Sequence, residues 1–250
     1  MSVAYEISED PIPRLGLIVL QVDETIEDDF RRMFPPGTAR LHISRIPSGA
    51  ELTPGTIAAM EMALPAAAAL LPPAVRFNAV AYACTSGTTL IGAGRVRDLV
   101  QSHTSTASVT DPLTATLAAT HALGIRRIGI VSPYIEAVAT PIRRAFEADG
   151  IEVPVTLSFG EEVESRVARI APASIRDAAM SLAAQAKLDG LFLSCTNLRT
   201  LDVIPELEQA LGLPVLGSNL ALAWHMARMS GVSTDGLPGR LATHILPGTA

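Results

Sequence analysis

The sequence predicts an α/β protein of two pseudo-symmetric lobes, each a parallel sheet flanked by helices, with the active site in the interlobe cleft. Three observations predict it. Short apolar or β-branched runs alternate with alanine- and leucine-rich helical runs, the pattern of βαβ units with covered sheets. The chain also repeats itself: FNAVAYACTSGTT (77–89) and LDGLFLSCTNLRT (188–200) align without a gap at an offset of 111, and LGLIV (15–19) matches IGIVS (128–132) at an offset of 113. Finally, Gly16 to Cys84 is 68 residues and Gly129 to Cys195 is 66, a matched separation that unrelated α/β strands have no reason to keep.

The elements follow in order. LGLIVL (15–20) reads as a buried strand, and ARLHISRIP (39–47) as a strand that Pro47 stops. TPGTIAAMEMALPAAAALL (53–71) is a helix capped by Thr53, with Pro54 at its first position. FNAVAYAC (77–84) is a strand, followed by a helix through about Ser102 and the short strand ASVTD. PLTATLAATHALG (112–124) is a helix that Gly124 ends. RRIGIVSP, IEVPVTLS, LDGLFLSC and LPVLGS are four further strands with helices between them. The expected division is an N-terminal lobe, 1–110, joined by the C-terminal segment 218–250, and a C-terminal lobe, 111–217.

Composition narrows the function. Mean hydropathy is +0.34, yet the apolar runs are strand-sized, well short of the ~18–20 residues of a membrane span. The opening MSVAYEISEDPIP is acidic and polar, unlike a secretory signal, so a cytoplasmic location is expected. There a disulfide is not expected, and two cysteines alone cannot make a thiolate zinc site. A net charge of −6 with scattered basic residues, and only 4% aromatics, argue against nucleic acid and anionic membrane as partners.

Cys84 and Cys195 are the only cysteines, and both head a Cys-Thr-x-x-x-Thr phrase at the end of an equivalent strand. In parallel sheets that end is where ligands bind. If the lobes face each other, the repeat puts one thiol on each side of a substrate.

These paired motifs resemble the aspartate/glutamate racemase superfamily, specifically its maleate cis-trans isomerase and arylmalonate decarboxylase branch. The resemblance runs through LGLIV, ACTSGT, VTDPLTA, LGIRRIGIVSPY, SCTNLRTLDVIPELE and LPVLGSN, and VLQVDETIEDDFRRMFP is most similar to the ectoine-utilisation protein A subgroup. It implies a cofactor-independent enzyme without metal, a small carboxylate substrate and a homodimer. It further implies that Cys84 is the nucleophile or proton carrier on one face and Cys195 its counterpart on the other. Thr85, Ser86, Tyr134 and Thr196 would then donate hydrogen bonds to a substrate carboxylate.

One departure concerns Asp23. Maleate isomerases carry Ser-Asn-Thr-Thr after the first strand, with the asparagine on the substrate; here Val22, Asp23, Glu24 and Thr25 take those places. Two carboxylates would repel a dianion unless one is protonated or turned away. A substrate with a carboxylate at one end and an amino, amidine or amide group at the other fits better, or Asp23 serves as acid–base partner to a cysteine.

The polar residues after each strand and nearby helix N-termini are expected to favour the thiolate. A thiolate could add to an activated double bond, allow rotation and leave. Alternatively, two thiols flanking one carbon could move its proton between faces. Thiols on both sides favour cis-trans isomerisation or racemisation over one-faced decarboxylation. A non-catalytic carboxylate-binding protein is the rival from another class. Thr85 and Ser86 could instead cap a helix, Thr88 and Thr200 read as turn or cap residues, and Asn219 reads as the cap of LALAWHMARM. Arg199 is as well suited to an internal ion pair as to a carboxylate. No histidine has metal-ligand spacing, and GAG (92–94) lacks the remainder of a dinucleotide motif.

Overall fold

The computed structural model describes residues 2–8, 10–51 and 53–244, the side chain of Pro54 excepted. Its framework is a pair of four-stranded parallel sheets. The first contains β1 (Arg14–Leu20), β2 (Arg40–Ile46), β3 (Ala79–Ala83) and β4 (Val109–Thr110), in the order β2-β1-β3-β4. The second contains β5 (Arg127–Ser132), β6 (Glu152–Ser158), β7 (Gly190–Leu193) and β8 (Val215–Gly217), in the order β6-β5-β7-β8. The orders are the same, so the internal repeat of the sequence is a repeat of topology: β1 corresponds to β5 and β3 to β7. Central strands covered on both faces need continuous apolar runs, and β3 and β7 are buried at every residue. Gly129 in β5 is there because a Cβ would lie 2.3 Å from the Leu182 side chain.

Helices cover both sheets: α1 (Ile26–Met33), α2 (Pro54–Ala69), α3 (Thr85–Ile91), α4 (Ala93–Gln101), α5 (Pro112–Ala122), α6 (Glu136–Ala148), α7 (Glu164–Val167), α8 (Pro172–Ala183), α9 (Val203–Leu211) and α10 (Ser218–Ser230). Thr53 caps α2 through a reciprocal capping box with Thr56. Asp111 caps α5, and Gly124, at φ +67°, turns the chain just beyond it. After β8 the chain crosses back: α10 packs on α5, β3 and α1, with Trp224 wholly buried. Residues 245–250 of the expected C-terminal segment lie outside the described residues.

Three expectations change. The single helix after Cys84 is two, because Gly92 sits at φ +93° and Ala93 starts a new one. The strand at 107–111 is reduced to Val109–Thr110. Helix α1 was not anticipated from its acidic sequence, although Ile26, Phe30 and Met33 share its buried face. Among the described residues no helix is long and apolar enough to cross a membrane.

Candidate active site

Cys84 ends β3 and caps α3. Its Sγ accepts the Gly87 N–H at 3.1 Å and lies 3.6 Å from Ser86 Oγ. Thr85 and Ser86 therefore occupy the first helical turn and do not cap it. Position 87 must be glycine: a Cβ would stand 2.5 Å from the Tyr82 hydroxyl and 2.9 Å from Cys84 Sγ. Tyr82, fully buried beneath, donates to Met60 Sδ at 3.5 Å.

Cys195, just past β7, is the one non-glycine among the described residues with positive φ, at +120°. Strained backbone of this kind persists only where the surroundings over-determine it. Its N–H donates to Ser218 Oγ at 3.0 Å, and the same oxygen pairs with Thr85 Oγ1, also at 3.0 Å. Thr196 Oγ1 donates to Ala83 O at 3.4 Å. The two cysteine motifs, remote in sequence, are thus stitched together at the strand ends. Tyr134, 2% exposed, lies close enough to both thiols for Cys195 and Cys84 to oppose its ionisation.

The expected thiolate bias is overturned. Burial pushes the Cys84 thiol up to about 11, against the Ser86 and Gly87 hydrogen bonds that favour its ionised form. Burial, then the charge of Glu164, also raises Cys195 well above the ordinary thiol range. At 2–3% exposure, desolvation outweighs the few donors supplied. Relative to the unperturbed 9.0, ionising Cys84 in the closed site costs about 3 kcal/mol more.

Opposite the thiols runs an acidic wall. Asp23 Oδ1 accepts the N–H groups of Thr25 at 2.8 Å and Ile26 at 2.9 Å, while its buried Oδ2 has no hydrogen-bond partner. Burial raises its pKa. Glu24 is turned away: its carboxylate pairs with Arg169 at the surface, and its N–H donates to Asn197 Oδ1 at 2.8 Å.

Glu164, which sequence reasoning missed, is 3% exposed, accepts from Asn197 Nδ2 at 3.0 Å, and has its pKa raised by burial to about 7. Its charge bears on both thiols and on Tyr134. Nothing in GEEVESRV separates Glu164 from its solvated neighbours; α7 buries it by folding back, its N–H bonded to Ala50 O in the other half of the chain. Asn197 was findable, because the 111-residue offset pairs it with Ser86.

Asn219 is not a cap. It lies inside α10 and donates from Nδ2 to Asp29 Oδ2 and Thr196 O, both at 2.8 Å, tying α1 to the second motif. Arg199 reaches the Ile170 carbonyl. Thr200 turns the chain into α9 through its carbonyl, and Thr88 is wholly buried in α3. His225 bonds Thr110 Oγ1, at 2.7 Å, away from the thiols. Among the described residues no His, Cys, Asp and Glu side chains are grouped to hold a metal ion.

The site is closed over. A cleft of about 180 Å³ between α1 and the 199–202 segment has Asp29, Arg32, Arg199 and Asp202 in its walls but neither cysteine nor Tyr134. Asp29 separates it from the thiols through Asn219. Ion pairs span the cleft mouth: Arg32 with Asp202, and Glu24 with Arg169.

Comparison with known proteins places this geometry. A profile of the arylmalonate decarboxylase family matches residues 67–241, which include both cysteines, Tyr134 and Glu164. The arylmalonate decarboxylase of Bordetella bronchiseptica is 37% identical over 128 residues, 50% of this chain and 53% of that protein, so the match spans about half of its length. The maleate isomerase of Alcaligenes faecalis is 25% identical over 94% of this chain and 96% of its own. Among solved structures, a cysteine-to-serine mutant of Nocardia farcinica maleate cis-trans isomerase, carrying a covalently bound succinylcysteine intermediate, superposes with a TM-score of 0.79 at 24% identity, covering 92% of this chain and 98% of that one.

Proposed function

This chain belongs to the arylmalonate decarboxylase family, and from that premise we propose that it is a cofactor-independent cis-trans isomerase of a small unsaturated carboxylate. The observation that carries the reading is the convergence of the two cysteine motifs, from equivalent strands of the two sheets, through Ser218, which bonds both Cys195 N–H and Thr85, and through Thr196 on Ala83 O. Full-length similarity to a maleate isomerase supports it.

In the proposed reaction Cys84 Sγ, as thiolate, forms a bond to one alkene carbon. The π pair moves toward the carbon bearing the carboxylate and is delocalised as an enediolate. Cys195 delivers a proton to that carbon, giving a thioether adduct of the type seen as succinylcysteine in the Nocardia enzyme. Rotation about the new single bond follows. Cys195 then removes the proton, the pair re-forms the double bond, and the carbon–sulfur bond breaks to release the trans product. Glu164, poised near neutrality, is the carboxylate suited to take the Cys84 proton at the outset. The N–H groups at the start of α3, with the hydroxyls of Tyr134, Thr85 and Thr196, would stabilise the enediolate.

The two lobes, 1–110 with 218–250 and 111–217, are proposed to part for substrate entry, since the thiols are sealed. A cytoplasmic homodimer belongs to the same proposal, its stoichiometry checked by sedimentation.

The half-length match to a decarboxylase motivates a second reading, in which one cysteine protonates an enediolate left by CO₂ loss. NMR in D₂O separates them. Loss of cis-alkene signal with gain of trans, abolished in Cys84→Ala and Cys195→Ala, supports isomerisation. Carbon dioxide release with deuterium on a single face supports decarboxylation, and full activity in both variants defeats both.

A further inference from the structure

We propose that the substrate presents hydrogen-bond donors, a carboxamide or an ammonium group, to Asp23 Oδ2, so that the site takes a small acid with one carboxylate and one donor-bearing end in preference to a dicarboxylate. This deepens the isomerase reading and rests on it for where the reacting carbons lie.

Asp23 is 3% exposed, and its two oxygens have separate fates. Oδ1 is spent on the N–H groups of Thr25 and Ile26, which fix the carboxylate plane at the entrance to α1. Oδ2 is buried with no hydrogen-bond partner. A carboxylate oxygen accepts more than one bond, and a buried one left without any needs a reason.

The surrounding donors are already committed. Arg45 Nη1 is held by the main-chain oxygens of Leu20, Gln21 and Asp23, and its Nη2 by Glu27. Asn197 Nδ2 serves Glu164 and Val22 O. The Thr196 hydroxyl stands beside Asp23 and eases its ionisation, but it donates to Ala83 O at 3.4 Å. Asp23 lies at the reaction site: it follows β1, which pairs with the β3 strand that Cys84 ends, and the N–H of its neighbour Glu24 donates to Asn197 Oδ1, two residues past Cys195. Glu164 adds a second carboxyl to the same wall, and the two oppose each other's ionisation. With Asp23 ionised, as its bonds from Thr25 and Ile26 favour against burial, a ligand carboxylate placed here would meet a like charge, whereas a ligand N–H meets the acceptor it requires.

Asp23→Asn tests this with little change of shape. Oδ1 goes on accepting from Thr25 and Ile26, while an NH₂ donor replaces Oδ2. Binding to the full chain would be measured by calorimetry with three saturated, unreactive probes: succinate, its monoamide succinamate, and 4-aminobutanoate. Wild type is expected to bind at least one donor-bearing probe tenfold or more tightly than succinate, and Asp23→Asn to reverse that order with an unchanged melting temperature. Preference of wild type for succinate, an order unaltered by Asp23→Asn, or no binding of any probe would each overturn the inference. The probes bind without reacting, so the outcome is separable from the isomerase reading. That reading fails on its own if the preference holds but no cis-alkene analogue, maleamate included, is converted.

Discussion

The main-chain N–H of Cys195, held at φ +120°, donates to Ser218 Oγ at 3.0 Å. That serine opens α10 and also pairs with Thr85 beside the other cysteine, so a single buried hydroxyl ties both motifs to the helix returning from the second sheet. Ser218→Ala removes the acceptor and leaves a buried N–H without a partner, a cost of about 1–3 kcal/mol. For a chain of 250 residues this is expected to lower the melting temperature by roughly 2–10 °C. Turnover is expected to fall further than stability alone explains, because both thiols lose their common anchor. Calorimetry with kinetics on one preparation checks it, and an unchanged melting temperature would count against the anchor.

Cys195 itself allows a separation of stability from chemistry. Its φ lies where glycine is at ease and a Cβ is not. Cys195→Gly is therefore expected to be at least about 1 kcal/mol more stable than Cys195→Ala. Both should be inactive. Equal urea midpoints for the two variants would show that the backbone is not strained there.

How much of this was legible in the sequence depends on what each residue answers to. The repeat was legible, because strand cores and a six-residue phrase survive as strings; it placed both cysteines at equivalent strand ends. The thiol acidities were not. Neighbouring hydroxyls can be read from sequence, but the depth of burial that outweighs them is set by α2, α6 and α10 packing from far along the chain. Glu164 was hidden for the same reason: among glutamates of identical local character, only tertiary contact with Ala50 and Asn197 selects it. Asn219 follows Gly217-Ser218 at a helix start and has the local credentials of a cap, yet α1 and the 196 carbonyl claim its amide first.

Glu164 carries a pH signature. Its folded pKa of about 7 lies above the unperturbed 4.5, so between these values the folded protein binds more protons than the unfolded chain. Stability from this group is therefore full below pH 4.5 and is lost as pH rises through 7, by about 2 kcal/mol between pH 5 and 8. Asp29, raised to about 6, adds a loss of the same sign, while His225, lowered to about 4, acts oppositely below pH 6.5. The difference between wild type and Glu164→Gln isolates the glutamate. Urea midpoints should fall toward pH 8 more steeply in wild type, and parallel profiles would refute the assignment.

Gly87 keeps Tyr82 and Cys84 in contact. Gly87→Ala would force a methyl to within 2.5 Å of the tyrosine hydroxyl and 2.9 Å of the sulfur, in a part of the core with no spare space. Overpacking of this kind costs about 1–3 kcal/mol. The diagnostic is thiol chemistry. Alkylation of wild-type Cys84 should rise toward pH 11, whereas Gly87→Ala, with the thiol displaced from its donors, should give a shifted Cys84 profile and leave that of Cys195 unchanged. Identical Cys84 profiles would mean that the loop absorbs the methyl elsewhere.

Substrate entry supplies the last expectation. Both thiols are sealed, and the cleft between α1 and the 199–202 segment, bordered by the Arg32–Asp202 and Glu24–Arg169 pairs, is the expected way in. These pairs are more than 45% exposed on both partners, and exposed pairs contribute little to global stability. Breaking them with Arg32→Ala and Glu24→Gln together should move the melting temperature by no more than ~2 °C. The opened state, being a small local rearrangement, should respond far more: alkylation of both cysteines by iodoacetamide is expected to accelerate several-fold. Wild type should show the same acceleration when salt is raised from 0.05 to about 1 M, because screening weakens surface pairs first. If the double variant protects its thiols as well as wild type does, access runs elsewhere, and the edge formed by α7 and the 48–51 loop, joined through Glu164 and Ala50, becomes the hinge to open next.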